Sequence, residues 1–191
     1  MNETAARERT FRFRIFRYRP GTGDPPAYRV YALSPGPRAT VLDALEALRL
    51  REDPDLLYRH SCHHASCGTC ACRINGVERL ACETLVWDLD TEEVVLEPLE
   101  GFPRTGDLVV DLTRLYRRMP ASRVLLRPSE WNPGSAPPEG IRRYERLESC
   151  IECGACVSAC PVSREDDAFL GPAALAAVHR GLEEGVAGAE E

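Results

Sequence analysis

Nine cysteines stand at positions 62, 67, 70, 72, 82, 150, 153, 156 and 160. Their number is odd, they form two tight groups, and no export signal precedes them. A disulfide framework in a secreted domain spreads its cysteines along the chain. Close groups in a reducing compartment serve instead as metal ligands, because the thiolate is the binding form and a metal ion lowers the thiol pKa. Thiolate coordination is therefore the chemistry these residues offer.

In the first group, four residues separate Cys62 from Cys67, two separate Cys67 from Cys70, and eleven separate Cys70 from Cys82. This is the plant-type spacing of a [2Fe–2S] cluster. Two irons need four thiolates, so a loop supplies three and the chain returns with a fourth at Leu80-Ala81-Cys82. Gly68 lets the loop tighten. Its backbone N–H groups can donate to the sulfurs, and those bonds, with solvent exposure, set the potential. Zinc favours paired spacings of two to four residues in one compact knuckle, and this order is off that pattern. Cys72 is spare: two residues after Cys70 and at the start of a strand, it points away from the cluster and packs as a small apolar residue. His63 and His64 invite a Rieske reading, in which imidazoles replace two thiolates. With four thiolates present, they are expected to be solvent-facing loop residues.

The second group reads Cys150-x2-Cys153-x2-Cys156-x3-Cys160-Pro161, the bacterial ferredoxin run. Three of these cysteines cover one face of a [4Fe–4S] cubane, and Gly154 permits close approach. In two-cluster proteins the fourth cysteine binds the other cluster. No cysteine follows Cys160 in the sequence, so Cys150, Cys153 and Cys156 are expected to hold a cubane only when a remote ligand is supplied.

The elements that must position these loops can be read from periodicity. Thr10–Arg19 alternates, with Phe11, Phe13 and Ile15 on one face and Arg12, Arg14 and Phe16 on the other, which predicts a half-exposed strand. A Gly/Pro-rich turn at 20–26 leads to a second strand over Tyr28–Leu33. The arginine-rich face (Arg12, Arg14, Arg17, Arg19) is read as solvated. Thr40 caps a helix running to about Leu50, with Asp43 completing a capping box and Pro54 forbidding much continuation. Asn75-Gly76 between two short apolar runs is a hairpin signal, and Val94-Val95-Leu96 is a closing strand. The order strand, strand, helix, cysteine loop, hairpin, strand suits a small mixed sheet with one helix across it. After a boundary at Gly101–Gly106, Asp107 is expected to cap a second helix with Leu108, Leu112, Leu115, Tyr116 and Met119 on one face. The stretch 120–140 is a proline-rich irregular connection. Pro172 opens a last helix with Leu175, Val178 and Leu182 on one side, before a small acidic tail over 183–191.

The chain has 191 residues and a formal charge of −6, from 24 cations, all of them arginine, and 30 acids. At 43% hydrophobic and 28% charged it is an ordinary globular composition, neither disordered nor fibrous. No stretch approaches the ~18–20 apolar residues that span a bilayer. The acidic balance without a basic tail excludes nucleic acid as a partner.

Together these residues resemble the iron–sulfur subunit of succinate dehydrogenase and fumarate reductase. The resemblance runs from about Phe11 to Arg180. It rests on Arg59-His60-Ser61-Cys62, Cys67-Gly68-Thr69-Cys70, Ile74-Asn75-Gly76 and Leu80-Ala81-Cys82, then on Cys150-Ile151-Glu152-Cys153-Gly154-Ala155-Cys156 with Cys160-Pro161. Asp107–Leu112 is similar to the helix after the family's first domain, and Phe169–Leu175 to its next helix. The resemblance implies an α+β chain: a β-grasp plant-type [2Fe–2S] ferredoxin domain over 1–104, then a mainly helical, apparently incomplete bacterial ferredoxin-like [4Fe–4S] domain over 105–191. It assigns Cys62, Cys67, Cys70 and Cys82 to the first cluster and Cys150, Cys153 and Cys156 to the second. Family members continue to a further cysteine-rich stretch, which supplies the cubane's last ligand and the partners of Cys160 for a [3Fe–4S] cluster. This chain is therefore expected to be a fragment, a shortened member, or completed by another chain. Val162-Ser163-Arg164 stand where the family carries a tryptophan. The implied function is electron transfer, with no catalytic acid or base here, between the FAD of a flavoprotein subunit and membrane quinone met indirectly. The implied place is cytoplasmic, peripheral on the inner face of the cell membrane through membrane-anchor subunits. The rival readings are an electron-transfer subunit of another flavin-dependent oxidoreductase, such as a thiol-coupled fumarate reductase, a free ferredoxin, and a non-redox zinc protein.

Overall fold

A computed structural model describes residues 9–119 and 150–183. The expected connection over 120–140, the charged run after it and the tail beyond Glu183 fall outside the described residues. Strand β1 (Phe11–Arg17) pairs antiparallel with β2 (Ala27–Leu33) and parallel with β5 (Glu93–Glu97). The hairpin β3 (Ala71–Ile74) and β4 (Val77–Leu80) joins β5 through β3, giving the order β2-β1-β5-β3-β4. Alternation sends Phe11, Phe13 and Ile15 wholly inside, and Phe16 is buried too.

Helix α1 (Val41–Arg51) begins where the sequence requires. Asp43 N–H donates to Thr40 Oγ1 at 3.1 Å, and Thr40 N–H donates to the Asp43 carboxylate at 2.8 Å. These reciprocal bonds satisfy two donors that a helix N-terminus leaves free. Val41, Leu42, Leu45 and Leu48 then enter the sheet core. Asn75 and Gly76 both take positive φ, 51° and 79°, as a tight two-residue hairpin demands. The Asn75 side chain also accepts Val95 N–H at 2.7 Å, tying the hairpin tip to β5.

Strand β3 serves two cores. Successive side chains point to opposite faces, so Cys72 enters the sheet core while Ala71 enters a second core with Leu99, Phe102, Val110, Leu115, Met119, Val157 and Ala173. The second core gathers α2 (Thr113–Arg118), α3 (Ala155–Ala159) and α5 (Pro172–Glu183), while α4 (Pro161–Glu165) follows directly on α3. No helix among the described residues is long and apolar enough to cross a membrane.

Three expectations are corrected. Asp107 caps no helix. Its carboxylate is fully buried and accepts Tyr18 N–H at 2.9 Å, Leu57 N–H at 2.8 Å and Arg19 Nη1 at 2.8 Å. Those bonds keep Asp107 in a bend and out of a helix, and α2 starts only at Thr113; Leu108 joins the first core and Val110 the second, and Tyr116 is half exposed. Among the described side chains of α5 the buried ones are Ala173 and Ala174, and Leu175 faces out, because the close second core admits only small side chains there; the side chain of Leu182 lies outside the described residues. The arginine face is not simply solvated. Arg17 turns inward to pair with Asp53 and, at 3.2 Å, with Asp107, while Arg14 lies 4.0 Å over the Tyr28 ring.

Burial pushes the Asp53 carboxyl up, but the Tyr31 hydroxyl and the Arg17 and Arg29 guanidinium groups outweigh it and hold it below its ordinary value. A depressed carboxyl stabilises the fold above its unfolded pKa of about 4, and that stability is lost as pH falls through the lower folded value. The stability gap between wild type and Asp53→Asn, read by urea unfolding, is therefore expected to be full at pH 7 and to close below about pH 4.

Candidate metal centres

The loop between Arg59 and Cys70 reverses direction three times within six residues. His63, Ala65 and Gly68 take φ values of 60°, 58° and 69°. Each reversal aims N–H groups inward. Ser66 and Cys67 N–H both donate to Cys62 Sγ at 3.3 Å, Ala65 N–H donates to Cys82 Sγ at 3.3 Å, and Cys82 N–H donates to Cys70 Sγ at 3.5 Å. The four cysteines of the first group are thereby brought to one place, with donors on three of their sulfurs. Donors of this kind favour thiolate and tune a bound metal, so the residues fit an iron–sulfur cluster.

Electrostatics divides the sulfurs. The exposed rim is thiolate-prone: the His64 backbone N–H, then the Cys67 thiol, pull Cys62 down to about 6, and the Thr69 hydroxyl chiefly lowers Cys67. The inner side is not. Burial pushes Cys70 up to about 11 and Cys72 up to about 12. A cation is what lets a sulfur as buried as Cys70 ionise. Cys72 is buried as a small apolar residue, but in the same core as Cys70 and Cys82 rather than on the opposite side, because residues two apart on a strand share a face. His63 and His64 are exposed, with the His64 ring turned to the Cys62 carbonyl.

The second group lies on a turn where Glu152 and Gly154 have φ of 54° and 82°. Cys150 and Cys156 are exposed, and Cys153 and Cys160 are half-buried. Burial still raises Cys156, whereas the Ser163 hydroxyl first and then backbone N–H groups lower Cys160. Helix α3 starts just after Gly154, and Pro161 opens α4 just after Cys160. Ser158, almost fully buried, donates to Glu78 Oε1 at 2.7 Å and accepts Glu100 N–H at 2.8 Å, fastening α3 to β4.

The two groups touch. A Cβ built on Gly68 would stand 2.7 Å from Cys153 Cβ and 2.9 Å from the Ile151 carbonyl oxygen. Nothing in the cysteine spacing predicts this contact, because it joins residues 85 positions apart in sequence.

Arg59, three residues before Cys62, carries no signal of a role in the sequence. Its Nε and Nη2 are buried with no hydrogen-bond partner among the described residues. Burial pulls its guanidinium below the ordinary value, while Tyr116, Cys72, Cys70 and Cys153 pull it back up. An arginine stays charged even so, which leaves a fixed positive charge among sulfurs of both groups. Arg59→Gln should lower the midpoint potentials of both centres by tens of millivolts, the order expected for one charge at an effective dielectric near 20; redox titration followed by EPR reads this directly.

Residues 12–117 match the family of 2Fe-2S iron-sulfur cluster binding domains, and residues 145–163 match the 4Fe-4S binding domain. The fumarate reductase iron-sulfur subunit of Escherichia coli O157:H7 is 32% identical over 179 residues, 92% of this chain and 73% of that protein. The succinate dehydrogenase iron-sulfur subunit of Paracoccus denitrificans is 34% identical over 178 residues, 88% of this chain and 67% of that protein. Among solved structures, a chain of the Mycobacterium smegmatis Sdh1 complex in the apo form superposes with a TM-score of 0.81 at 27% identity, covering 94% of this chain and 77% of that one. The α+β architecture is thus a [2Fe–2S] ferredoxin-like domain with a [4Fe–4S] ferredoxin-like segment behind it. With two cluster-binding segments in this order and relatives alike over most of its length, the chain belongs to the family of iron–sulfur electron-transfer subunits of succinate dehydrogenase and fumarate reductase.

Proposed function

We propose that Cys62, Cys67, Cys70 and Cys82 hold the [2Fe–2S] cluster, and that Cys150, Cys153 and Cys156 hold three irons of the [4Fe–4S] cluster. Cys160 then serves a [3Fe–4S] cluster when its further ligands are supplied, as the ferredoxin run implies. The clusters supply one-electron storage. The chain's own residues hold them, donate N–H groups to their sulfurs and set their electrostatic surroundings. Electrons pass between the FAD of a flavoprotein partner, where substrate binds, and membrane quinone, while anchor partners keep the chain on the inner face of the cell membrane. The domain division at 104/105 belongs to the same reading. The observation that carries the proposal is the contact of Gly68 with Cys153, which sets the loop of one centre directly against that of the other.

The test is EPR and iron analysis of anaerobically purified full-length protein with serine replacements. Cys67→Ser should abolish the rhombic [2Fe–2S] signal seen on reduction, and Cys72→Ser should leave it intact. A signal lost with Cys72 and kept without Cys67 would refute the ligand set; colourless, zinc-loaded protein would refute the redox reading.

A further inference from the structure

The first cysteine loop also carries imidazoles that its thiolates do not need. His60 Nδ1 and His63 Nε2 lie 3.2 Å apart. Glu46, on α1, places Oε1 3.7 Å from the first and 3.6 Å from the second. The point equidistant from the corners of such a triangle is about 2.0 Å from each, the bond length of zinc to imidazole nitrogen or carboxylate oxygen. A metal ion placed there would need almost no movement of the three side chains.

The surroundings hold this arrangement in place. Positive φ at His63 turns its ring back over the loop, edge-on to His60 with centroids 5.3 Å apart. The Tyr58 ring backs His60 at 5.3 Å, and the Arg49 guanidinium covers Tyr58 at 5.8 Å. The three side chains are each about one-third to two-fifths exposed, which leaves one side of the triangle open to water. A divalent cation between the two nitrogens can take both lone pairs and the carboxylate charge together. Two imidazoles and one carboxylate select zinc and its first-row neighbours over magnesium or calcium, which prefer oxygen.

We propose that Glu46, His60 and His63 form a divalent transition-metal site of zinc class, separate from both cysteine groups, with a fourth position open to water. A bound ion ties the root of the cysteine loop to α1, one residue from Cys62.

The test uses the full chain with its clusters in place and oxidised, titrated with Zn²⁺ by calorimetry while iron is counted throughout. One zinc should bind per chain with no iron released. His60→Ala and Glu46→Gln should each weaken binding, the histidine change by about a hundredfold or more, since even indirect partners of a metal cost about 10–100-fold. His64→Ala, whose ring faces the Cys62 carbonyl, should bind as wild type. Co²⁺ as a second probe should bind without sulfur-to-cobalt charge-transfer absorption. Zinc uptake only as iron is lost, a thiolate signature on cobalt, or equal affinity in wild type and His60→Ala would each overturn the proposal.

Discussion

Replacing Gly68 with alanine is expected to uncouple the two centres while sparing the first. The added Cβ would stand 2.7 Å from Cys153 Cβ, 2.9 Å from the Ile151 carbonyl oxygen and 3.0 Å from Cys153 Cα. Two of these three are main-chain atoms and the third is bonded to one, so no rotamer change relieves the overlap; one loop must leave the other. Crowding of this kind costs about 1–3 kcal/mol, and a φ of +69° adds about 1–2 kcal/mol for any residue with a Cβ. The N–H bonds into Cys62, Cys82 and Cys70 come from residues 65, 66, 67 and 82, so the first site can survive the shift. The [2Fe–2S] signal should persist, while its magnetic interaction with the second reduced centre weakens and electron transfer between them slows. Gly76→Ala is the control. It has a similar φ of +79° but meets only an arginine tip at 4.0 Å, so it should lose about 1 kcal/mol of stability and keep the interaction. Equal coupling in both variants would mean that Ser158 and the second core, not this contact, hold the centres together.

Gly68 marks where sequence reading stopped. It was legible as the glycine that tightens the cysteine loop, since that follows from local chain geometry. Its neighbour across the interface was not, because spacing carries no information about which loop lies opposite. The same division holds elsewhere. The capping box at Thr40 and Asp43, the Asn75-Gly76 turn and the burial of Cys72 are set by residues within a few positions of each other, and all are present. The helix expected from Asp107 failed because its apolar spacing was real but served two cores: Leu108 faces one and Val110 the other. Arginine inventories mislead in the same way. Arg17 and Arg59 look like surface charge in one dimension, yet one is drawn in by Asp53 and Asp107 and the other is half-buried, with its Nε and Nη2 enclosed near the sulfurs.

Asp107→Ala is expected to destabilise the protein by about 3–5 kcal/mol, the order found when one partner of a buried ion pair is removed, with most of it coming from stranded backbone donors. Two of the groups it leaves behind are the backbone donors Tyr18 N–H and Leu57 N–H, and an orphaned buried donor costs about 1–3 kcal/mol on its own. Arg17 retains Asp53 and Arg19 is partly solvated, so the guanidinium share is the smaller one. Asp107→Asn keeps one acceptor oxygen but turns an amide toward the other donor, and should fall between wild type and alanine. The consequence reaches the metal centre through the chain itself. Leu57 N–H is held by Asp107, and Leu57 carbonyl oxygen accepts Leu108 N–H at 3.0 Å, so the main chain is clamped two residues before Arg59 and five before Cys62. Loosening that clamp should speed iron release to a chelator under native conditions, in the order wild type, asparagine, alanine. Alanine that unfolds earlier in urea yet releases iron at the wild-type rate would confine Asp107 to the sheet and leave the loop to be positioned by Gly68 and its own hydrogen bonds.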